Sequence, residues 1–512
     1  MKASSPYLFL FISLWITGCQ LTSVSPSGET LAGSRPNILF VISDDQSFPY
    51  ASAYGDSSIH TPAFDRVARE GILFNNAFVA SPGCSPSRAA LLTGLNCWQL
   101  KEAGTHASLF PREFVAFPDL LEQAGYFIGF TGKGWGPGDF RSSGRERNPA
   151  GRLINDREMD SPPEISNTDY AGNFGDFLAE RPEGQPFFFW LGTHEPHRRF
   201  KKGIGREHGM DPSKVRVPAF LPDVAEVRDD MLDYGFEIQW FDQHLERAIR
   251  LLEEAGELDN TLIVVTSDNG MPFPRAKANV YEYGIHVPLA VRWGDKIKGG
   301  RISDDLVSLI DLFATFVDLA GAPYPEYKVE SNSLLPLLGS TKSGVIDTMR
   351  KEIFSSRERH SSSRWNNLGY PQRAIRTSQY LYIRNFKPER WPSGDPPEFH
   401  DIDQASERFT IRHGDDPRYA EFFRLITDRR PAEELYDILA DPACLHNLAG
   451  SARYEAALNH LRGRLGAYLM QTQDPRVTGN GEIFESYPRL VGPMRKFPPD
   501  TLLENRTGSE RN

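Results

Sequence analysis

The stretch Asn37-Ile38-Leu39-Phe40-Val41-Ile42-Ser43 is an uninterrupted run that leads directly into Asp44-Asp45. A run of apolar, partly β-branched residues without polar alternation is typical of a strand buried on both faces of a parallel sheet. The two carboxylates therefore follow the C-terminal end of a central strand, where α/β sheets place their ligands. A solvated acidic turn is the alternative, but the buried character of the strand before it favours a functional site.

A second run of the same kind occurs at residues 261–266, and it ends in Ser267-Asp268-Asn269-Gly270. Because the carboxyl ends of parallel strands meet at one edge of a sheet, we expect the polar groups after both runs to converge there. These groups are Asp44, Asp45, Asp268 and Asn269. Three carboxylates and one amide form a hard, all-oxygen ligand set, which suits Ca²⁺ or Mg²⁺ better than Zn²⁺.

Helical and strand-like segments alternate along the first two thirds of the chain. Helices are predicted at residues 61–70, 117–124, 224–255 and 308–320, and further strands at residues 72–79, 126–131, 187–191 and 287–293. This alternation predicts an α/β fold, in which a large domain has a mainly parallel central sheet flanked by helices. After residue 345 the pattern changes to short antiparallel strands around residues 373–386 and a closing helix at 454–470. We predict a smaller C-terminal α+β subdomain there.

The sequence Cys84-Ser85-Pro86-Ser87-Arg88 precedes an apolar helical segment. Ser and Pro are helix-start residues, Pro because its missing N–H costs nothing in the first turn. The thiol of Cys84 is therefore expected at the positive end of a helix dipole, where backbone N–H groups favour an anion. Arg88, four residues on, returns to the same side and offers a rigid fork to a tetrahedral oxyanion.

Further basic groups follow other predicted strands. Lys133 lies in a loop with four glycines between residues 132 and 138, which can approach a ligand closely. His194 and His197 stand beside Arg198 and Arg199 after the strand at 187–191. Four such groups in one loop favour a functional role, and no helical His-Glu-x-x-His spacing supports a zinc site there. Lys277 is a further basic group, and it follows the predicted strand at 261–266 and the turn that contains Asp268.

Composition limits the classes of protein. The chain has 512 residues, of which 39% are hydrophobic and 24% charged, so it is an ordinary globular protein of more than one structural unit. Its formal net charge of −11 argues against a nucleic-acid-binding protein. The four cysteines are too few for a disulfide scaffold. Cys97 and Cys444 can pair or stay free, and the sequence does not decide between these.

The N-terminal residues indicate export. Lys2, an apolar run at 7–16 and the small residues before Cys19 describe a secretory signal. Residues 16–19, Ile-Thr-Gly-Cys, resemble the bacterial lipoprotein box, which implies cleavage before Cys19 and a lipid anchor on its thiol; plain secretion is the alternative. The resemblance implies a protein of the bacterial periplasm or outer membrane surface. The predicted segments are a signal peptide (1–18), a tether (19–34), a large domain (35–344), a C-terminal subdomain (345–475) and an extended tail (476–512).

The pattern Cys84-x-Pro86-Ser87-Arg88, with Thr93-Gly94 after it, resembles the signature of the type I sulfatases of the alkaline phosphatase superfamily. Residues 194–198 and 267–274 look most like the N-sulfoglucosamine sulfohydrolase branch of that family. The resemblance implies a hydrolase of sulfate ester or sulfamate groups on sulfated carbohydrates. It also implies that a formylglycine-generating enzyme or an anaerobic sulfatase-maturating enzyme converts Cys84 to formylglycine.

The resemblance implies a role for each candidate site residue. Residue 84 and the oxygen ligands Asp44, Asp45, Asp268 and Asn269 would hold one Ca²⁺ per chain, with Mg²⁺ as the alternative. The implied catalytic residues are Cys84, Arg88, Lys133, His194 and Lys277. Sulfatases commonly carry Lys-x-His in the glycine-rich loop, whereas this chain has Lys133-Gly134-Trp135. Trp135 can stack on a sugar ring. His106 and His197 are the candidates to replace the missing histidine of this loop. We assign Trp135, His106 and His197 to substrate binding.

Two other functions remain open from the sequence. A phosphate monoester or diester hydrolase on the same fold is the enzymatic alternative, since formylglycine serves some of these enzymes too. Zinc chemistry of the alkaline phosphatase type is disfavoured because Asn269, and not histidine, follows Asp268. The non-enzymatic alternative is a surface lipoprotein that binds sulfated glycans without cleaving them, and Trp135 is the feature that favours it.

Overall fold

The computed structural model describes residue 1, residues 31–402 and residues 409–496. The predicted signal peptide and most of the tether lie outside the described residues. Within the described part of the chain, no helix combines the length and the apolar character that crossing a membrane requires.

The large sheet has eight strands in the order β3-β4-β1-β5-β6-β2-β7, with β8 paired to β2. Its strands are β1 (Asn37–Ser43), β2 (Ile72–Phe78), β3 (Phe127–Gly132), β4 (Phe187–Gly192), β5 (Thr261–Ser267), β6 (His286–Arg292), β7 (Arg301–Ser303) and β8 (Val307–Ser308). β6 runs antiparallel to both of its neighbours, and the other pairings are parallel. The prediction of a mainly parallel central sheet is confirmed.

Helices cover this sheet. In the large domain they are α1 (Pro62–Glu70), α2 (Cys84–Thr93), α3 (Phe117–Gln123), α4 (Tyr170–Glu180), α5 (Ile204–Glu207), α6 (Ala225–Glu254), α7 (Glu282–Ile285), α8 (Asp311–Ala320) and α9 (Leu335–Leu338). The four helices predicted from the sequence correspond to α1, α3, α6 and α8, with ends that differ by up to three residues.

The apolar run of β1 is continuous because both of its faces are buried. Phe40 belongs to one core cluster, which includes side chains of α2, α3 and α8. Its neighbour Val41 belongs to a second cluster on the opposite face, with side chains of α1, α4 and α6. Each fully buried side chain of this size contributes about 1.5–3 kcal/mol relative to an exposed one. A strand with polar alternation would lose this contribution on one face.

The register of the parallel strands brings their carboxyl ends to one level. Ser43 of β1 pairs with Ser267 of β5, so Asp44 and Asp268 follow neighbouring strands at the same height. On the other side of β1, Gly192 is the partner of Ile42 and also of Gly132 in β3. The loops that carry Lys133 and His194 therefore leave the sheet at the same edge as the two aspartates.

A second, antiparallel sheet has the order β12-β11-β10-β9. Its strands are β9 (Glu352–Arg357), β10 (Gln372–Thr377), β11 (Tyr380–Asn385) and β12 (Glu433–Asp437). The helices of this part are α10 (Phe409–Arg412), α11 (Ala420–Thr427), α12 (Glu455–Gln471), α13 (Pro475–Thr478) and α14 (Ile483–Ser486). The predicted antiparallel sheet and closing helix are confirmed, whereas the exact domain boundaries stay a prediction.

The described part of the predicted tail, residues 476–496, is not simply extended. It contains most of α13 and all of α14. Phe484 is 3% exposed and packs in an apolar cluster with Trp98 and Leu465. Arg476 forms an ion pair with Glu358 at 2.7 Å. Burial of Phe484 and the ion pairs of this segment, including those of Arg390 with Glu485 and Arg476 with Glu358, hold residues whose Pro- and Gly-rich composition indicated an extended chain.

Candidate active site

Oxygen ligands meet at the carboxyl edge of the large sheet. One potential ligand atom from each of Asp44, Asp45, Cys84 and Asp268 lies within 4.8 Å of the others, and all four residues are buried. Asn269 donates from Nδ2 to Asp45 Oδ1 at 2.7 Å, and its own Oδ1 is buried with no hydrogen-bond partner among the described residues. A buried, unpartnered amide oxygen beside three carboxylates fits a hard divalent cation.

The geometry of the first turn after β1 depends on Asp45. Its backbone lies in the left-handed region, with φ at 73°. Asp tolerates this conformation better than bulkier residues because its short side chain can bond locally. Its backbone N–H donates to Asp268 Oδ1 at 3.1 Å, which ties the two strand ends together.

Each carboxylate of the cluster has a cationic partner. Arg88 Nε lies 2.7 Å from Asp268 Oδ2, and Lys277 Nζ lies 2.6 Å from Asp45 Oδ2. Lys133 Nζ donates to Asp44 Oδ2. Buried carboxylates require such partners, because an isolated charge in a low-dielectric interior costs several kcal/mol. The three cations predicted to bind an anion are therefore already assembled around one point.

The charges shift the pKa values of the cluster. Burial alone would raise the pKa of Asp44, but the charges of Lys133 and His197, followed by Arg88, outweigh it and hold that pKa well below its ordinary value. Burial raises the pKa of Asp268 to about 6, although Arg88 acts in the opposite direction.

Cys84 is the first residue of α2, which begins after Gly83 and ends before Gly94. Its Sγ lies 3.5 Å from Asp44 Oδ1 and 3.7 Å from Asp45 Oδ1. Burial and the charge of Asp44 raise the pKa of the thiol well above its ordinary value. Reactive cysteines show the opposite shift, because the thiolate is the nucleophile. The neighbourhood therefore keeps the sulfur as a neutral thiol.

The glycine-rich loop crosses close to β4 and buries the side chain of Trp135. A Cβ on Gly132 would lie 2.1 Å from the carbonyl oxygen of Gly192, so only glycine allows this close crossing. Trp135 is 4% exposed; its Nε1 donates to the Ser85 carbonyl at 3.1 Å, and its ring packs edge-on against Phe110. Trp135 touches the cleft with little of its surface, which leaves a small ring area for the sugar stacking that the sequence suggested.

The three predicted histidines do not all lie at the same place. His194 lies at the cleft, where burial and the charge of Lys133 lower its pKa to about 4, below the near-neutral value expected of an unperturbed histidine. His197 Nε2 is 3.8 Å from Asp45 Oδ2. His106 instead packs against His360, with ring centroids 4.7 Å apart. The structure thus brings His194 and His197 to the metal-type cluster and places His106 against the C-terminal subdomain.

A cleft of about 800 Å³ opens over the cluster. Its walls include Asp44, Lys133, Trp135, His194 and His197 from the predicted site, together with Arg198. Three carboxylates that sequence reasoning missed also line it: Glu164, Glu195 and Glu237. Glu237 lies in the long helix α6, far from any motif, and no sequence signal distinguished it from the other acids there.

Glu195 supports the loop of His194. Its Oε1 accepts from Ser166 N and its Oε2 from the Tyr170 hydroxyl, each at 2.9 Å. The same Tyr170 oxygen accepts from the backbone N–H of His194 at 3.1 Å. Glu195 directly follows His194 in the sequence, and this adjacency was the only signal that could have identified it.

The site as a whole is that of a hydrolase of anionic esters, in which fixed cations and an all-oxygen metal-type cluster surround one nucleophile position. The sulfatase family model matches residues 36–322. A second model, of the C-terminal part of N-sulphoglucosamine sulphohydrolase, matches residues 275–414. The chain belongs to the sulfatase family, the hydrolases of sulfuric esters.

Individual relatives agree with this assignment. The chain is 30% identical over 490 residues to human (Homo sapiens) N-sulphoglucosamine sulphohydrolase, covering 89% of this chain and 94% of the relative. It is 25% identical to an ulvan-active sulfatase of Formosa agariphila, covering 86% and 76%. A structure solved with D-glucosamine-2-N,6-O-disulfate superposes with a TM-score of 0.61 at 23% identity, covering 86% of this chain and 98% of that one. The fold predicted from the strand pattern is that of sulfatases.

Proposed function

We propose that this protein removes sulfate from sulfated glycans, by hydrolysis of a sulfate ester or a sulfamate, with formylglycine at position 84 and a divalent cation. The relatives support the substrate class, since they include N-sulphoglucosamine sulphohydrolase and ulvan-active sulfatases. The cluster of Asp44, Asp45, Asp268 and Asn269 supports the cation, with Ca²⁺ as the first choice and Mg²⁺ as the alternative.

The environment of Cys84 carries the proposal. Its thiol is buried, lies beside two carboxylates and has a raised pKa. An enzyme that used the thiolate would hold that pKa below its ordinary value, for example with an adjacent histidine base. Here the surroundings oppose the thiolate but suit a neutral, oxygen-bearing group near a cation. Cys84 is therefore a precursor of the working nucleophile.

Two groups supply chemistry that the unmodified chain lacks. As formylglycine, residue 84 would supply a hydrated aldehyde, whose hydroxyl groups are the nucleophile toward sulfur that the thiol does not provide. A divalent cation held by the oxygen cluster would act as a Lewis acid toward the sulfate oxygens.

The side chains of the chain itself hold the sulfate and the leaving group. Arg88, Lys133 and Lys277 surround the nucleophile position and neutralise the sulfate oxygens, which otherwise repel an attacking oxygen. Because these cations are fixed by ion pairs with the aspartates, little reorganisation is needed when substrate binds.

His194 is the proton donor in this proposal. It lies at the cleft beside the cluster and would protonate the departing oxygen or nitrogen. Its pKa of about 4 reflects burial and the charge of Lys133. A bound sulfate group would offset the charge of Lys133 and raise that pKa, so the imidazole gains its proton when substrate is present.

A panel of substrates tests the proposal. The panel contains N-sulfoglucosamine, glucosamine 6-sulfate, D-glucosamine 2-N,6-O-disulfate and 4-nitrophenyl sulfate, with 4-nitrophenyl phosphate as the competing substrate. We expect sulfate release from at least one sulfated sugar and a higher kcat/KM for the aryl sulfate than for the aryl phosphate. Faster cleavage of the aryl phosphate would favour the phosphate hydrolase, and binding without any cleavage would favour the glycan-binding lipoprotein.

Export with a lipid on Cys19 completes the proposed function, and the signal-like residues 1–19 support it. Such an anchor would hold the enzyme in the bacterial periplasm or at the outer membrane surface, where polymeric glycans arrive. Metabolic labelling with a fatty-acid analogue tests this. We expect label on the wild-type protein and none on Cys19→Ala, whereas equal labelling of both would contradict the anchor.

A further inference from the structure

One wall of the cleft carries a carboxyl group of a different kind. Glu237 lines the cleft, is 1% exposed, and its Oε1 has no hydrogen-bond partner among the described residues. A buried polar atom left without a partner costs about 1–3 kcal/mol, and more when the group is charged. Such a cost in a substrate cleft calls for an explanation.

Glu195 shows that this cleft can provide hydrogen-bond donors to both oxygens of a carboxyl group. Both residues line the same cleft, and the charge of Glu195 acts on Glu237. Both oxygens of Glu195 accept hydrogen bonds, from Ser166 and from Tyr170. No equivalent donor reaches Glu237 Oε1 from the described residues.

Arg198 does not donate a hydrogen bond to Glu237 Oε1. Arg198 attracts it electrostatically, but the guanidinium donates from Nη1 and Nη2 to Asp230, at 2.8 and 2.6 Å, and from Nε to the Pro272 carbonyl. Two aromatic rings, Phe200 and Phe273, also pack against that guanidinium. Arg198 is thus engaged elsewhere, and Glu237 keeps an acceptor oxygen at the cleft wall.

We infer that Glu237 is a specificity-determining residue that accepts a hydrogen bond from a donor group, hydroxyl or ammonium, on the sugar that carries the sulfate. This inference rests on the proposed sulfatase function and extends it from the sulfate to the rest of the substrate. The cleft has cations at the sulfate end and acceptors, Glu164 and Glu237, on its walls. A ligand with one anionic group and several donors is complementary to both parts.

The acidic wall also selects against some substrates. Burial and the charge of Glu195 raise the pKa of Glu237 well above its ordinary value, so the carboxyl group selects through hydrogen bonding rather than through charge. A substrate without donors, such as an aryl sulfate, would leave Glu237 Oε1 without a hydrogen-bond partner. Sites that hydrogen-bond a substrate hydroxyl discriminate strongly against analogues that lack it, because the buried group of the protein stays unpaired.

The test compares two variants on two kinds of substrate. Glu237→Ala removes the acceptor, and Glu237→Gln keeps the shape and one acceptor oxygen. The sugar substrate is the panel member with the highest wild-type kcat/KM, and 4-nitrophenyl sulfate is the substrate without donors. Glu246→Gln, an exposed acid of the same helix, is the matched control, and inorganic sulfate serves as a competitor of the sulfate end alone.

We expect Glu237→Ala to lower kcat/KM for the sugar by about 10- to 100-fold more than for the aryl sulfate. Glu237→Gln should stay within about fivefold of wild type on the sugar, because its amide oxygen still accepts the bond. The inhibition constant of inorganic sulfate should differ between wild type and Glu237→Ala by less than about threefold, since that ion contacts only the cation cluster.

Equal losses on both substrates would assign Glu237 a structural role and overturn the inference, as would no loss in Glu237→Ala. An equal loss in Glu237→Gln and Glu237→Ala would overturn the acceptor role of the oxygen. These results leave the sulfatase function intact, because wild type still releases sulfate. Absence of sulfate release from every substrate would instead overturn the proposed function, and the inference with it.

Discussion

Two parts of the active site differ in whether their carboxyl groups have bonding partners. At the sulfate end each carboxylate has a fixed cation: Asp44 with Lys133, Asp45 with Lys277 and Asp268 with Arg88. At another part of the cleft wall, Glu237 has an oxygen without a hydrogen-bond partner among the described residues. In the proposed function the fixed cations hold the sulfate group, whereas Glu237 gains its hydrogen bond from the sugar. Chemistry and specificity are then assigned to different residues of the cleft.

Removing a cation from the sulfate end is the most damaging change that this comparison predicts. Arg88→Met leaves Asp268 buried without its partner and also removes the bonds to the carbonyls of Lys133 and Gly134. We expect the free energy of unfolding to fall by about 3–5 kcal/mol, measured by urea denaturation, and sulfate release to become undetectable.

The control is Arg152→Met, which breaks an exposed ion pair with Glu180 and should change the free energy of unfolding by less than about 1 kcal/mol. Similar effects of the two substitutions would mean that the sulfate end contributes no more than an ordinary surface pair.

Removing His194, the proposed proton donor, should lower turnover without affecting folding. His194→Ala is expected to lower kcat by about 10²- to 10⁴-fold on a sulfated sugar, whose departing oxygen needs a proton. The aryl sulfate, whose phenolate leaves more easily, should lose much less. Stopped assays on both substrates measure the ratio, and an equal loss on both would remove His194 from the role of proton donor.

Adding or removing the cation should change stability through the oxygen cluster. A ligand that binds only the folded state stabilises it by about 2.7 kcal/mol at a hundred times its Kd. We therefore expect Ca²⁺ to raise the melting temperature of the wild-type protein treated first with chelator, and to raise that of Asp45→Asn far less. Separate titrations with Mg²⁺ decide between the two ions. An identical response of both proteins would place the cation elsewhere.

The smallest effect is expected at Trp135. The ring is buried and makes one hydrogen bond to the Ser85 carbonyl, so Trp135→Phe should cost about 1 kcal/mol of stability. Its kcat/KM on the sugar should stay within about threefold of wild type. A large loss on the sugar, with the aryl sulfate unaffected, would show that the ring stacks on substrate after all.

The sequence predicted the sulfate end because that end follows buried strands. Asp44 and Asp268 directly follow apolar runs, and parallel pairing leaves no other place for them than the same edge of the sheet. Cys84 and Arg88 were found through a local helix-start pattern, which is also independent of long-range contacts. These predictions depend on short segments and on one rule of sheet topology.

The role of Glu237 and the surroundings of Trp135 and His194 could not be predicted in this way. Glu237 is one of several acids in α6, and only the packing of that helix against the cleft distinguishes it. The burial of Trp135 depends on Phe110 and on a glycine at 138, whose missing side chain leaves room for the indole. The shift of His194 to a pKa of about 4 depends on burial and on Lys133, neither of which composition reveals.

The most direct test of the account combines the mass of the peptide that contains residue 84 with sulfate release by the same preparation. The account predicts that active protein carries an aldehyde in place of the Cys84 thiol, and that activity rises in proportion to the modified fraction. Cys84→Ala should fold, with a melting temperature close to that of wild type, and release no sulfate. Full activity from protein whose Cys84 is an unmodified thiol would contradict the account.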